Sequence, residues 1–208
     1  MIDIILKYFP ALTERQKEQF EILMRLYPEW NDKINVISRK DIGNLEVNHI
    51  LHSLSIATFI HFSDGSSIMD LGCGGGFPGI PLAILFPKVN FLLIDRTAKK
   101  LKVAEEIAKA AGIDNVRFMH GDVAECKEKF DFIVSRAVMP QTDLVKLSRK
   151  NISKTQQNAI PNGLITLKGG DLQSELNRLK NDSEVIDIKQ YFSEDYFATK
   201  KIAYTIVH

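Results

Sequence analysis

The sequence contains little cysteine. Its 208 residues include two, Cys73 and Cys126, and neither belongs to a Cys-x-x-Cys pair or to a cluster with the ligand spacing of a zinc site. A disulfide framework and a metal site are therefore not expected. Chains with so few cysteines are typical of reducing compartments, so we expect a cytoplasmic location.

Long apolar runs are also absent. No stretch reaches the roughly 18 to 20 residues that a membrane span requires, and residues 1–16 lack the basic start and apolar core of a signal peptide. We therefore expect no membrane association. The length fits one α/β domain with an appendage and is too short for two complete enzymatic domains.

The third feature that the sequence lacks is an excess of charge of one sign. The formal net charge is +1, although charged residues make up 25% of the chain. Basic residues cluster at 39–40, 96–102 and 146–154. A polyanion would therefore have to be bound by a local patch, and each cluster taken alone is more readily a solvated helix face.

Two kinds of pattern divide the chain. Residues 1–62 show helical spacing, with a capping box at Thr13 and Gln16. We interpret 1–62 as a helical extension packed on a single globular domain, 63–208. In that domain, strands alternate with helices, which predicts an α/β fold with a mostly parallel seven-stranded sheet covered by helices on both faces. The predicted strands are 68–71, 89–94, 116–119, 130–134, 164–167, 185–188 and 203–207.

The predicted helices are 45–62, 98–111, 141–150 and 172–179. The polar segment 151–162 is interpreted as an exposed loop, and the sequence does not decide whether it contacts a substrate.

The most informative stretch is the glycine-rich run DLGCGGGFPGIP at 70–81, which follows a predicted strand and opens a predicted helix. Glycines let a ligand approach the backbone closely, and the amides of a helix N-terminus favour a carboxylate or phosphate. Gly74, Gly76 and Gly79 match the dinucleotide fingerprint G-x-G-x-x-G. The overlapping set Gly72, Gly74 and Gly76, with Asp70 before it, resembles the first motif of the Rossmann-like class I methyltransferases.

That resemblance implies a loop that wraps the methionine end of S-adenosylmethionine, with Asp70 orienting the loop and the ligand ammonium. Asp95 ends the next strand, 19 residues after Gly76. An acid at this place accepts hydrogen bonds from ribose in dinucleotide enzymes and methyltransferases alike. Asp95 therefore indicates a nucleoside-containing cofactor, the alternative being a cap for the helix 98–111.

Three features favour methyl transfer. The acid precedes the glycines, the chain ends in a strand-rich tail, and the segment 121–124 follows the third strand, where the methyltransferase fold places groups beside the adenine ring. Asp122 within that segment has the alternative role of ending the strand.

Motifs that the sequence lacks reduce the number of atoms that could be methylated. No Asn-Pro-Pro-Tyr motif is present, which disfavours methylation of the adenine amino group. Methylation at carbon 5 of a pyrimidine needs a cysteine nucleophile, and neither Cys73, predicted to be buried in the loop, nor Cys126 suits that role. A ring nitrogen such as guanine N7 attacks directly, so the enzyme supplies orientation. The candidate catalytic residues are Arg136 and Lys168, at the carboxyl ends of the fourth and fifth strands, with structural ion pairs as the alternative.

Several ordered motifs together resemble those of the bacterial small-subunit (16S) ribosomal RNA guanine-N7 methyltransferases, also called RsmG or glucose-inhibited division protein B (GidB). Nearly the whole chain shares the resemblance, the last 35 residues or so least. The motifs are DLGCGGGFPGIPLAI from residue 70, WN at 30–31, NVIS at 35–38, HIL at 49–51 with Ser53, SRA at 135–137 and LKG at 167–169.

The resemblance implies S-adenosylmethionine-dependent methylation of N7 of one guanine in a decoding-region loop of 16S rRNA, with S-adenosylhomocysteine as product. We expect a monomer that acts on 16S rRNA within the small ribosomal subunit or its precursor, with no DNA partner. The cofactor site would comprise Asp70, Gly72, Gly74, Gly76, Phe77, Asp95, Val123, Ala124 and Arg136. Candidates for contact with RNA or the substrate base are Lys40, His49, Arg136 and Lys168.

The chain departs from the family pattern at three positions. Where the family has an aspartate in its motif HILDS, this chain has His52. Where the family has an arginine after its motif NLTS, which corresponds to NVIS here, this chain has Lys40, and where it has an acid after the third strand, this chain has Ala124.

Two other functions compete with methyl transfer. An NAD(P)-dependent oxidoreductase would need a substrate domain or a catalytic pair that the sequence does not show, and a non-catalytic RNA-binding or ribosome-assembly module would not need the complete glycine loop with Asp95.

Overall fold

The computed structural model describes residues 2–136, 139–177, 179 and 182–207. In this part of the chain seven strands form one sheet. The strands are β1 (Ser67–Leu71), β2 (Asn90–Asp95), β3 (Val116–His120), β4 (Phe132–Arg136), β5 (Gly163–Gly169), β6 (Ser183–Asp187) and β7 (Lys200–Ile206).

The strand order is β3-β2-β1-β4-β5-β7-β6. The first five strands of that order are parallel, whereas β7 runs antiparallel to both β5 and β6. The predicted mostly parallel seven-stranded sheet is thus confirmed. The central strands are continuous apolar runs because helices bury both of their faces.

Successive side chains of the strands point to opposite faces of the sheet, so the core has two layers. On β2, Phe91 and Leu93 belong to one buried cluster and Leu92 and Ile94 to the other, as expected because successive side chains point to opposite faces of a sheet. The first layer also contains the N-terminal helices, so residues before 63 share a core with the sheet.

Eight α-helices lie within the described ranges. They are α1 (Asp3–Tyr8), α2 (Glu14–Asn31), α3 (His52–Leu54), α4 (Ile56–Phe59), α5 (Gly79–Leu85), α6 (Ala98–Ala110), α7 (Gln141–Ser148) and α8 (Gln173–Leu176). A π-helix occupies Leu45–Leu51, and short 3-10 turns occupy Ile42–Asn44, Val123–Glu125, Arg149–Asn151, Ile188–Gln190 and Asp195–Thr199.

The predicted capping box begins α2. The Gln16 amide donates to the Thr13 hydroxyl at 3.3 Å, and the Thr13 amide donates to the Gln16 side chain at 2.9 Å. The Gln16 side-chain amide also donates to the Ile84 carbonyl at 2.9 Å, which joins α2 to the end of α5.

The prediction of one helix over 45–62 is wrong in detail. A π-helix is followed by the short α3 and α4, and such insertions interrupt the regular hydrogen-bond ladder. Ser53 and Ser55 donate from their hydroxyls to the carbonyls of His49 and His52, each at 2.6 Å, in competition with backbone donors. The helix predicted over 172–179 is described only as the short α8, and part of that range lies outside the described residues.

Within the described ranges, no helix is both long and apolar enough to cross a membrane.

Candidate active site

The candidate site lies where the strand order reverses. β1 stands between β2 and β4, and the next strands outward are β3 beyond β2 and β5 beyond β4. In open α/β sheets, ligands bind at the carboxyl ends of the strands at such a point. The glycine loop follows β1, Asp95 ends β2 and Arg136 ends β4, so the topology brings three predicted site segments to one edge.

The glycine loop adopts backbone conformations that side chains disfavour. Gly74 has φ of 55° and Gly76 has φ of 103°, both in the left-handed region that suits glycine. A Cβ on Gly76 would lie 2.5 Å from Cδ1 of Ile80, whereas a Cβ on Gly74 would meet nothing within 4 Å. The side of the loop at Gly74 is therefore open to a ligand.

Asp70 supports this loop from beneath. Its buried Oδ2 accepts a hydrogen bond from the Gly79 amide at 2.7 Å, and its buried Oδ1 has no partner among the described residues. Burial raises the pKa of Asp70 to about 7, against the lowering effects of the Gly79 hydrogen bond and of Arg136. The carboxyl group thus has one hydrogen-bonded oxygen and one buried oxygen that no described donor reaches.

Asp95 connects the glycine loop to α6. Its Oδ2 accepts from the Gly74 amide at 2.7 Å and its Oδ1 from the Thr97 amide at 2.7 Å. Thr97 itself precedes α6, so this hydrogen bond fixes the turn before the helix and does not cap a helix amide. Asp95 also lines a cavity of about 210 Å³, whose walls are Leu71, Gly72, Ile94, Asp95, Arg96, Gly121, Val123, Met139 and Leu147.

Of the two residues predicted for the cofactor site in the segment after β3, one lines the cavity and the other is exposed. Val123 is buried and lines the cavity, whereas Ala124 is exposed. Asp122 accepts from the Ala124 amide at 2.8 Å and caps the 3-10 turn, and it pairs with Arg96. Asp122 thus has a structural role in the turn after β3, which itself ends at His120.

Arg136 is held by three contacts. Its Nη2 donates to Nδ1 of His49 at 2.9 Å and its Nη1 to the Asn48 carbonyl at 3.3 Å. The guanidinium carbon lies 5.0 Å from the centroid of the Phe77 ring, within cation–π range. The π-helix and the glycine loop therefore fix the guanidinium together.

His49 is the middle of a chain of polar contacts. Because Nδ1 accepts from Arg136, the ring proton lies on Nε2, which donates to Asp41 at 2.6 Å. Burial and the Arg136 charge lower the pKa of His49 to about 4, although Asp41 acts in the opposite direction. For Asp41, burial acts to raise the pKa, but hydrogen bonds from Asn48 and His49 outweigh it and lower the pKa.

An aromatic stack joins this chain of contacts to α2. The Tyr27 and Phe77 ring centroids are 4.6 Å apart, and those of His49 and Phe77 are 5.4 Å apart. The buried Tyr27 hydroxyl donates to the Gly75 carbonyl at 2.8 Å. The end of α2 therefore supports both the glycine loop and the ring beneath Arg136.

The remaining candidates lie apart from this cluster. Lys40 is exposed in the segment after α2. Lys168 is 10% exposed, donates to the Met139 carbonyl at 2.5 Å and pairs with Glu175 at 2.8 Å. Neither partner belongs to the cluster around Arg136. Ala137 of the SRA motif lies outside the described residues.

His52, which stands where the family pattern has an aspartate, lies next to the cluster around Arg136. His52 is buried, and its Nδ1 lies 3.1 Å from the Tyr196 hydroxyl. That hydroxyl donates to the Asn48 carbonyl at 3.2 Å, the same carbonyl that accepts from Arg136. His52 therefore adjoins the contacts of Arg136 through Tyr196.

Both cysteines are buried, as predicted for Cys73, and burial raises the pKa of the Cys73 thiol well above its usual value. Across the described residues no group of three or more His, Cys, Asp or Glu side chains is arranged to hold a metal ion.

The sequence alone did not identify Asp41, Asn48 or Tyr27. Asp41 and His49 are eight residues apart, but a 3-10 turn and a π-helix join them, so an α-helical spacing does not predict their contact. Tyr27 lies within α2, and nothing local in the sequence indicates that its hydroxyl bonds to the glycine loop.

Comparison with known proteins identifies the family. The family model GidB, described as rRNA small subunit methyltransferase G, matches residues 16–202. The chain is 58% identical over 206 residues to Ribosomal RNA small subunit methyltransferase G of Phocaeicola vulgatus, with 99% of each chain covered. It is 58% identical over 203 residues to the protein of that name from Porphyromonas gingivalis, with 97% of this chain and 92% of the relative covered.

Among solved structures, the fold is similar to that of a SAM-dependent O-methyltransferase from Thermotoga maritima, with a TM-score of 0.58 and 17% identity over 81% of this chain and 70% of that one. This likeness supports the Rossmann-like methyltransferase fold alone. The family match confirms the predicted resemblance and the predicted class of enzyme, and it sets aside the oxidoreductase alternative. The chain belongs to the rRNA small subunit methyltransferase G family.

Proposed function

We propose that this chain transfers the methyl group of S-adenosylmethionine to N7 of a guanine in 16S rRNA, within the small ribosomal subunit or its precursor. We propose further that it acts in the cytoplasm as a monomer. The observation that carries the proposal is the cavity beside the glycine loop, where Asp95 both lines the wall and orders Gly74. The RNA target follows from the family, and the choice of N7 rests on the family resemblance.

The residues around the cavity fit the cofactor. Gly72 and Val123 form its walls. Each carboxylate oxygen has two lone pairs, so Asp95 can accept from ribose hydroxyls while it holds the backbone. The orphaned Oδ1 of Asp70 suits an ammonium group, and the open side of Gly74 suits a close approach. When bound, S-adenosylmethionine supplies an electrophilic methyl group.

The substrate side needs no proton transfer. Guanine N7 has a free lone pair, so the protein has to orient the base and exclude water. His49, with a pKa of about 4, is neutral near pH 7 and serves as an acceptor for Arg136. Two of the five guanidinium N–H groups bind Asn48 and His49, and we assign the others to a base or phosphate oxygen.

The two segments of the chain would divide this work. Residues 63–208 form the methyltransferase domain, and the extension 1–62 supplies Asp41, Asn48 and His49 to the substrate side. The exposed Lys40 would contact RNA from the same extension. A catalytic role for Lys168 would require its ammonium to leave Glu175.

A methyl-transfer assay tests the reaction and target together. Labelled S-adenosylmethionine is supplied with small subunits, and separately with 16S rRNA, from cells lacking this protein. Strand cleavage sensitive to N7-methylguanosine then maps the product. Label at one guanine is the expected result, whereas label at another atom or no label would overturn the proposal.

A binding measurement tests the cofactor site. Asp95→Ala should weaken S-adenosylmethionine binding about tenfold or more, because it removes a charge-assisted acceptor and releases the Gly74 amide. Asp114→Ala, which removes an exposed carboxylate paired with Arg15, is the matched control. Equal affinity of the two variants in calorimetry would remove Asp95 from the site.

A further inference from the structure

One backbone carbonyl of the π-helix, that of Asn48, lacks the donor that an α-helix would give it. In an α-helix the amide four residues later, here that of His52, donates to this carbonyl. The His52 amide donates instead to the carbonyls of Val47 and His49. Because the π-helix shifts the backbone donor in this way, the Asn48 carbonyl is available to donors from side chains.

Two side chains from distant parts of the chain donate to the Asn48 carbonyl. Nη1 of Arg136 lies 3.3 Å from its oxygen, and the Tyr196 hydroxyl lies 3.2 Å from it. A carbonyl oxygen has two lone pairs, so it can accept from both donors at once. Tyr196 belongs to the 3-10 turn Asp195–Thr199, which directly precedes β7. A turn near the C-terminus therefore meets Arg136 at a single backbone atom.

His52 fixes the direction in which the Tyr196 hydroxyl points. The hydroxyl has one proton, and the Asn48 carbonyl can only accept, so Nδ1 of His52, 3.1 Å from the phenol oxygen, carries a proton and donates to that oxygen. Burial and the Arg136 charge lower the pKa of His52 well below its usual value, so the ring is neutral. The contacts thus run from a neutral imidazole through a phenol and a backbone carbonyl to a guanidinium.

The ring of Tyr196 is held by contacts that do not involve its hydroxyl. Its centroid lies 5.4 Å from that of His52 and 5.2 Å from that of the buried Phe197. The Lys200 ammonium lies 4.6 Å from the same centroid, within cation–π range. Removal of the phenol oxygen alone therefore leaves the turn packed in place, which separates the role of the hydroxyl from that of the ring.

We propose that Tyr196 is a positioning residue for methyl transfer, which holds the Asn48 carbonyl where that carbonyl orients the Arg136 guanidinium. The inference rests on the proposed function, in which the remaining N–H groups of Arg136 hold a base or phosphate oxygen. His49 and the Asn48 carbonyl bind the two terminal nitrogens of the guanidinium, so a shift of either acceptor turns the whole fork. Tyr196 supplies orientation and contributes neither charge nor proton to the reaction.

The test compares two variants that each lose one phenol oxygen. Tyr196→Phe removes the donor to Asn48, whereas Tyr8→Phe removes a hydroxyl that contacts Ser193 and Glu194, each at 2.9 Å, on the same C-terminal segment but outside the cluster around Arg136. For Tyr196→Phe we expect kcat on 16S rRNA and on small subunits to fall about tenfold. The ratio kcat/KM should fall by the same factor, with unchanged affinity for S-adenosylmethionine, and Tyr8→Phe should match the wild type.

A double variant distinguishes positioning from general support of the fold. If Tyr196 acts through the guanidinium, Tyr196→Phe/Arg136→Lys should have the same kcat as Arg136→Lys alone, because the group that Tyr196 orients is already lost. A structural role would lower kcat by the same factor in both backgrounds, and that outcome would overturn the proposal. Equal kcat of Tyr196→Phe and the wild type would overturn it as well.

A measurement on the protein without substrate separates this proposal from the proposed function. Nδ1 of His49 accepts from Arg136, so its nitrogen-15 chemical shift reports the position of the guanidinium. Tyr196→Phe should move this signal toward its position in Arg136→Lys, and Tyr8→Phe should leave it unchanged. If the wild-type chain methylates no RNA, the proposed function fails and this signal decides on Tyr196: a shift supports the positioning role, and an unchanged signal in Tyr196→Phe overturns it.

Discussion

Arg136 donates from Nη2 to Nδ1 of His49 at 2.9 Å, and this contact fixes the protonation state of the imidazole. Nδ1 must be free of a proton, so Nε2 donates to Asp41. The contacts run from a carboxylate through a neutral ring to a guanidinium that lies over Phe77. His49, proposed from the sequence as an RNA contact, thereby acquires a second role as the group that orients Arg136.

Arg136→Lys should lower methyl transfer by a factor on the order of ten to a hundred without unfolding the protein. A lysine ammonium cannot reproduce a planar fork that contacts the Asn48 carbonyl and His49 together, and a small misplacement of a positioning group has a large effect on rate. The check is kcat and KM alongside urea unfolding, with Arg117→Lys at a surface ion pair as control. Full activity of Arg136→Lys would show that its geometry does not matter.

The variant His49→Gln tests whether His49 is neutral in the folded protein, because a neutral buried histidine makes the free energy of unfolding depend on pH. The pKa of His49 is about 4 in the folded protein, against about 6.5 in an unfolded chain. Since the folded state binds fewer protons between these values, the stability associated with neutral His49 is complete above pH 6.5 and is lost as pH falls toward 4. Glutamine can donate to Asp41 and accept from Arg136 but does not titrate in this range.

The free energy of unfolding of the wild type relative to His49→Gln should therefore fall by up to about 3 kcal/mol between pH 7 and pH 4. Asp70, whose raised pKa of about 7 gives the opposite dependence, is present in both proteins and cancels in the difference. His61→Gln at an exposed position is the control. A difference that stays constant over this pH range would contradict the assignment of a neutral, buried His49.

Local patterns in the sequence were sufficient to predict much of the fold and the residues of the proposed cofactor side. Thr13 and Gln16 form the predicted capping box, and the apolar runs mark strands to within a few residues. The glycine loop and Asp95 could be predicted because strand, loop and acid follow one another along the chain, and parallel strands bring their carboxyl ends to one edge.

The proposed substrate side depends on contacts between distant parts of the chain. Asp41 reaches His49 through a 3-10 turn and a π-helix, and neither has the 3.6-residue period that predicts an α-helix. Arg136 meets His49 across 87 residues. Residue types suggested Arg136 and His49 separately, but their pairing follows from how the extension packs on the sheet.

Two glycines of the same loop should respond differently to alanine. At Gly74 the added methyl group meets nothing within 4 Å, and φ of 55° alone opposes it, so Gly74→Ala should lose about 1 kcal/mol of unfolding free energy. The methyl group would occupy the open side of the loop, so S-adenosylmethionine affinity should fall sharply.

At Gly76 φ is 103°, and the methyl group would lie 2.5 Å from Ile80 and 3.2 Å from Ala104. Gly76→Ala should therefore lose about 2 kcal/mol or more, since overpacking adds to backbone strain. Urea unfolding and calorimetry on both variants provide the comparison. A Gly74→Ala protein that binds the cofactor normally would show that the ligand does not approach that side.

Variants of Lys168 and of its partner Glu175 distinguish a structural role of Lys168 from a catalytic one. Lys168 is nearly buried, and its partner Glu175 also accepts from the Gln141 amide, so the pair joins the end of β5 to α7 and α8. Breaking one partner of such a pair leaves the other charge uncompensated. Lys168→Met and Glu175→Gln should each lower the free energy of unfolding by about 1 to 3 kcal/mol, and kcat should change less than threefold in both. If Lys168→Met alone abolishes methyl transfer while the two variants are equally stable, Lys168 acts on the substrate as predicted from the sequence, and its ion pair is the state from which it is released.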